Sequence, residues 1–258
     1  MCRFIEFFGQ RIAMFPFFTG IGILTSAFFI FHQLKRMGAS ADHENLVMPA
    51  IPFTFIAGVI GGYIADVILR GGIEALFTNP FGYGLTFYGW LTGGIFFLLI
   101  YSRICGLKHD RLLNLFLPSF ALAQAFGRIG CFCGGCCYGK PSSFGVCYPA
   151  GSLPYIHHGP VPLAPVQLYE SLYLFTVFAL IVKYAGFKQR GAWYLLLVSA
   201  GRFFWEFLRD DDRGTLFVTG LSPSQVISLI LFFIGMYWLI KVTYREKNHV
   251  RNSERKCE

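Results

Sequence analysis

FFTGIGILTSAFFIFHQLKRMG, residues 17–38, contains no Asp, Glu, Lys or Arg until Lys35 and Arg36 close it. Extended back to residue 12, the apolar run reaches the length a helix needs to cross a bilayer, about 20 residues. Working outward, six further stretches have the same character: roughly 50–69, 85–104, 111–127, 165–186, 192–208 and 221–243. The composition agrees. Of 258 residues, 55% are hydrophobic and 14% charged, with 30 Phe and 13 Tyr, whereas a soluble domain carries about 25% charged residues. A surface that poor in charge suits lipid rather than water. The sequence therefore reads as all-α, a polytopic integral membrane protein of seven transmembrane helices. A membrane domain covers residues 1–243 and a basic tail covers 244–258.

Orientation follows from the basic residues, which collect in short cytoplasmic loops. Alternate loops on one side, with the tail, hold Lys35, Arg36, Arg103, Lys108, Arg111, Lys183, Lys188, Arg190, Lys241, Arg245, Lys247, Arg251, Arg255 and Lys256, which is 14 of the 22 Lys and Arg. An odd number of spans then puts the N-terminus outside and the C-terminus in the cytoplasm. The net charge of +8 is a topology signal helped by anionic headgroups, and it calls for no nucleic acid. Residues 128–164 fall on the outer face.

That outer segment opens with GRIGCFCGGCCYGKP, residues 127–141. Cys131, Cys133, Cys136, Cys137 and Cys147 lie in it, while Cys2, Cys105 and Cys257 lie elsewhere and suggest nothing specific. With His157 and His158 downstream, C-x-C-x-x-C-C could hold zinc, since thiolates and imidazoles suit a tetrahedral site. The spacing is too crowded for two separated C-x-x-C knuckles. Disulfides tightening an extracytoplasmic loop, or small buried thiols beside glycine, are the plainer account. No metal site is assigned, and no cofactor is called for.

Charges at membrane depth carry more information. Each costs on the order of 2.5–3.5 kcal/mol to insert at a helix centre, so such groups face a partner or a polar cavity. Asp66, Arg128, Glu170, Arg202 and Glu206 all fall in or at the ends of spans, and Arg209 follows in the same block. Arg202 and Glu206 are four apart, hence on one helical face. Simple pairing accounts for both arginines only if Glu170 and Glu206 are both committed to them. An anion-binding cavity is the preferred reading, because a guanidinium takes a phosphate bidentately. Gly127 and Gly130, flanking an arginine at an expected helix end, would add backbone N–H donors. Gly93 and Gly94 have apolar neighbours and suit close helix packing.

The blocks YGWLTGG (88–94), FLPSFALAQAFGRIGCF (116–132), APVQLYES (164–171) and GRFFWEFLRDDD (201–212) followed by GLSPSQVISLILFFIGM (220–236) resemble the prolipoprotein diacylglyceryl transferases in order and spacing. The resemblance covers nearly the whole chain. It implies a multi-pass enzyme of the bacterial inner membrane. Such an enzyme moves the diacylglyceryl unit of phosphatidylglycerol, an anionic phospholipid, to the lipobox cysteine of a prolipoprotein signal peptide and releases glycerol phosphate. It also implies that Arg128 and Arg202 meet the headgroup. The candidate catalytic residues are Arg128, Arg202, Tyr88 and Glu170; the candidate substrate contacts are Gly127, Gly130, Cys131, Gln167, Gly89, Glu206 and Arg209.

The chain also departs from the family pattern. Tyr88 stands where the family's motif opens with histidine, Cys131 where asparagine follows GRIG, and Cys136 where an acidic residue lies farther on. Phe18 and Val198 replace tyrosines, and Ala164 replaces a histidine. Two further readings accompany the first: transfer of a phospholipid-derived group to another acceptor, and a phospholipid-binding membrane protein without catalysis.

Overall fold

The computed structural model describes residues 4–7, 10–71, 85–210 and 220–254; Cys2, Asp211, Asp212 and Cys257 lie outside these ranges. The chain is mostly helical. Strands β1 (Phe4–Phe7) and β2 (Gln10–Ala13) pair antiparallel, with Phe4 opposite Ala13 and Phe7 opposite Gln10. Helices follow as α1 (Met14–Arg36), α2 (Ala41–Val47), α3 (Ala50–Gly71), α4 (Phe87–Ile104) and α5 (His109–Gly134). After strand β3 (Pro141–Val146) come α6 (Leu153–His158), α7 (Val166–Tyr184), α8 (Arg190–Trp205) and α9 (Pro223–Glu254). The helical architecture is as expected, and the N-terminal hairpin and β3 are short additions to it.

Among the described residues, six helical segments are long and apolar enough to cross a membrane: Met14–Arg36, Ala41–Leu69, Phe87–Ile104, His109–Gly134, Val166–Tyr184 and Pro223–Asn248. The expected span over 192–208 differs. There α8 has 16 residues, about 24 Å at the helical rise, and gives way to a 3-10 turn over Glu206–Leu208. Most of α8 is buried, including Tyr194, Leu195, Val198 and Arg202. The other helices wear their apolar side chains outward: Leu24, Phe96, Leu172 and Tyr237 are each about two-thirds exposed or more. That is the surface of a protein solvated by lipid. At the C-terminal end α9 continues to Glu254, so much of the expected tail is helical.

The chain divides into two compact units, residues 29–115 and residues 1–28 with 116–258. In the first, α3 and α4 meet along a glycine seam. A methyl group at Gly61 would lie 2.5 Å from the Gly89 carbonyl oxygen, and one at Gly93 would lie 2.5 Å from the Ala57 carbonyl. Small residues let the backbones approach where the bilayer gives no hydrophobic drive for helix association. Gly93 thus packs as its apolar neighbours suggest, and Gly89, expected among the substrate contacts, belongs to the same seam. Thr86 caps α4 by accepting from the Gly89 N–H, and Tyr88 is buried in its first turn. Asp66 is buried in α3.

The second unit joins the start of α1 and the rest of α5 to α7, α8 and α9. Gly22 meets the Ala123 carbonyl and Gly130 meets the Phe15 backbone. Ser26 donates to the Ser119 carbonyl and Ser171 to the Ala125 carbonyl, each at 2.9 Å. Gly201 lies under the Tyr173 ring, whose hydroxyl donates to the Leu197 carbonyl at 2.6 Å. These contacts hold α5, α7 and α8 at the short separations that bring their charged side chains together.

Candidate active site

The site is built on three consequences of local sequence, all within the second unit. First, α5 does not stop at Arg128 but runs on to Gly134, where Gly135 takes the left-handed conformation, φ +71°. The Gly135 N–H bonds the Phe132 carbonyl and the Cys136 N–H bonds the Cys131 carbonyl, each at 3.2 Å, which is the Schellman cap. Arg128 therefore lies inside the helix, and its neighbours Gly127 and Gly130 have their N–H groups within the helical ladder. The expected headgroup donors at a helix end are not there, and Gly130 serves packing instead.

Second, Pro165 precedes α7, whose first turns carry Gln167 and Glu170 inward, both buried. Third, α8 breaks at Trp205 into the 3-10 turn, after which Arg209 pairs through its backbone with Gly139 in an antiparallel bridge. The Lys140 N–H donates to the Leu208 carbonyl and the Gly139 N–H to the Ala164 carbonyl, both at 3.0 Å. Gly139 lies between these two segments: a methyl group there would run into Val166 and lie 2.8 Å from both the Ala164 and Leu208 carbonyl oxygens. The YGK sequence thus has a packing reason for its glycine.

Glu170 is the hub. Its carboxylate takes Arg128 Nε at 3.0 Å on one oxygen and Arg202 at 3.3 Å on the other, while Arg209 approaches to 3.9 Å. Arg202 also bridges to Glu206 at 3.2 Å, and Ser222 Oγ donates to Glu206 at 2.9 Å. Arg128, Glu170, Arg202 and Arg209 are each less than 8% exposed. Among the described residues, this buried group sets three guanidinium groups against two carboxylates. The ion pairs that the pairing account expects are formed.

Next to this hub lies the cysteine-rich turn. Among the described residues Cys105, Cys131, Cys133, Cys136, Cys137 and Cys147 are thiols rather than disulfides. The sulfur atoms of Cys131, Cys136 and Cys137 all lie within 4.8 Å of one another. Cys137 has φ +61°, a left-handed conformation that costs a non-glycine residue about 1–2 kcal/mol. A hydrogen bond with Cys131 favours the Cys136 thiolate, but the bond with Cys137 and burial outweigh it and push that thiol up to about 12. The Cys131 and Cys136 thiols instead stabilise the Cys137 thiolate and, with Arg209 and Arg128, hold it well below the usual thiol range against burial. Gln167 Nε2 donates to the Cys136 carbonyl at 2.7 Å and lies 3.2 Å from the Tyr148 hydroxyl. Burial raises the Tyr148 phenol above its ordinary value.

The arrangement also contains Tyr138, Tyr148 and Asp210, absent from the sequence-derived set, and it gives His157 and His158, weighed there only as zinc ligands, other partners. The Tyr138 hydroxyl lies 2.6 Å from His157 Nδ1, and His158 Nε2 lies 3.2 Å from Asp210. Tyr138, Tyr148 and Leu163 form a small buried cluster beneath the turn. No spacing rule marks them, because they meet only through the backbone pairings of residues 138–146 with 162–164 and 208–210. Tyr88 and Gly89 belong to the other unit.

A family model described as prolipoprotein diacylglyceryl transferase matches residues 3–241. The chain belongs to this family. It is 35% identical over 245 residues to phosphatidylglycerol–prolipoprotein diacylglyceryl transferase 2 of Clostridium perfringens, covering 90% of this chain and 91% of that one. A Clostridium tetani protein named phosphatidylglycerol–prolipoprotein diacylglyceryl transferase is 32% identical, covering 90% and 94%. One so named from Clostridioides difficile is 30% identical, covering 94% and 96%. Membership accounts for the order of the blocks around Arg128, Glu170 and Arg202.

Proposed function

We propose that this chain transfers the diacylglyceryl group of phosphatidylglycerol to the lipobox cysteine thiol of a prolipoprotein signal peptide and releases glycerol phosphate. The observation that carries the reading is the buried convergence of Arg128, Arg202 and Arg209 on Glu170. The acceptor sulfur attacks C3 of the glyceryl unit, the C3–O bond breaks, and negative charge grows on the departing phosphate. Guanidinium groups already fixed in a site of low dielectric stabilise that charge without reorganising. Arg128 and Arg202 bind the headgroup, with Arg209 beside them. Glu170, engaged by guanidinium groups on both oxygens, orients them rather than taking a proton. Gln167 fixes the turn that carries Cys131 and Cys136.

In this reading the protein is a multi-pass protein of the bacterial inner membrane. The short helix α8 also crosses, making seven spans, with the N-terminus outside and the C-terminus cytoplasmic; the loop distribution of Lys and Arg supports it. The test uses purified protein, phosphatidylglycerol and a lipobox peptide, with Arg128→Ala as control. Glycerol phosphate release together with a diacylglyceryl gain in peptide mass, both lost in the control, is the expected result. Release without peptide modification would assign a different acceptor. No release from protein that binds the lipid would refute the transferase reading.

A further inference from the structure

The turn after α5 gathers thiols in a way that packing alone does not require. The Schellman cap folds Cys136 back onto the turn of Cys131, so their backbones are hydrogen bonded and the Cys136 thiol points at the Cys131 carbonyl, 3.7 Å away. The chain then accepts a left-handed cysteine at 137. The result is three sulfur atoms all within 4.8 Å of one another. Around a tetrahedral zinc with Zn–S bonds of about 2.3 Å, sulfur atoms stand about 3.8 Å apart, a spacing that lies within that bound. A disulfide would use two of these sulfurs and leave the third without a role.

Position gives the site its chemistry. Cys131 follows Arg128 by three residues on α5, so the two share a face about one helical turn, or roughly 5 Å, apart. Gln167 stands in the same relation to Glu170 on α7, and it holds the Cys136 carbonyl. One layer of the site therefore carries the guanidinium clamp and the next carries the thiols. We propose that Cys131, Cys136 and Cys137 bind one zinc ion and leave its fourth position open for the acceptor thiol.

This inference rests on the reading that the acceptor is a thiol. A three-ligand zinc site with an open position is the catalytic rather than the structural arrangement, and a thiol that coordinates the ion is deprotonated outright. The proton leaves to solvent as the acceptor binds. The zinc-bound sulfur then forms its bond to C3 as the C3–O bond breaks, and that electron pair goes to the phosphate of the released glycerol phosphate. The thioether product is a poor zinc ligand and departs. Such a site does the work of thiol deprotonation in a chain that has Tyr88 and Cys131 where the family pattern has histidine and asparagine.

The experiment titrates cobalt, as a spectroscopic substitute for zinc, into the reduced full-length protein in detergent. The expected result is one cobalt per chain, with thiolate-to-cobalt charge transfer and the visible bands of tetrahedral cobalt. Those bands should shift when a lipobox peptide is added and stay unchanged with its Cys→Ser counterpart. Cys136→Ser should lose the charge-transfer band, and Cys147→Ser should keep it; the spectrum of the parent protein decides the matter even if Cys136→Ser fails to fold. Absence of stoichiometric cobalt, or a disulfide joining two of the three cysteines that persists as the active form, would overturn the site. Cobalt bands indifferent to the peptide would overturn the open position. If the bands respond to the peptide and glycerol phosphate is never released, the metal site stands and the transferase reading falls.

Discussion

Replacing Glu170 by glutamine tests the hub directly. Glutamine keeps the volume and leaves an oxygen to face Arg128 Nε, now 3.0 Å from the carboxylate, but it removes the charge that Arg128, Arg202 and Arg209 share. Three guanidinium groups would then face Glu206 alone among the described carboxylates of the cluster, and the amide would turn donors toward donors. Removing one partner of a buried ion pair costs about 3–5 kcal/mol, a large part of a typical stability of about 5–15 kcal/mol. For a chain of this size that corresponds to a fall in the unfolding midpoint of roughly 6–20 °C. The assay is thermal unfolding of detergent-solubilised Glu170→Gln beside the parent, each with and without added lipid. Phosphatidylglycerol should restore the variant more than the parent, because its phosphate supplies the missing negative charge; saturation at a hundred times Kd contributes about 2.7 kcal/mol. Diacylglycerol, which lacks the phosphate, should restore neither. A variant as stable as the parent, or one rescued equally by diacylglycerol, would refute an anion site centred on Glu170.

Arg128→Lys keeps the charge but loses the planar fork, and it should lower glycerol phosphate release on the order of a hundredfold while leaving the helical circular dichroism unchanged. Gln167→Leu leaves the Cys136 carbonyl and the Tyr148 hydroxyl without their partner, so it should cost about 1–3 kcal/mol in the same unfolding assay. Gly61→Ala puts a methyl group 2.5 Å from the Gly89 carbonyl and should destabilise by about 1–3 kcal/mol through overpacking. An unchanged unfolding midpoint would show that α3 and α4 do not pack through their glycines.

The sequence made the helices legible through length and apolarity, and the Arg202–Glu206 pair through its spacing of four. It also named both ends of the Arg128–Glu170 contact, because charges at that depth need partners. Arg209 joining the hub was not legible in the same way. Its place depends on α8 breaking at Trp205 and on a backbone bridge to Gly139, both products of tertiary packing. The end of α5 was misplaced for a similar reason. Gly127, Gly130, Gly134 and Gly135 are all possible terminators, and only the cap bonds to Phe132 and Cys131 select the last pair. The N-terminal hairpin is short, and no strict alternation announces it.

The same reasoning bears on why so expensive a cluster is kept. A buried ion pair is weak evidence for stability, since apolar residues of similar volume often do as well or better. Here a single carboxylate is shared among three guanidinium groups drawn from α5, α8 and the segment after it, while the second is divided between Arg202 and Ser222. Under the proposed function, a phosphate entering this group meets guanidinium groups already in place, and as charge moves onto the leaving oxygen during transfer that arrangement favours the transition state further.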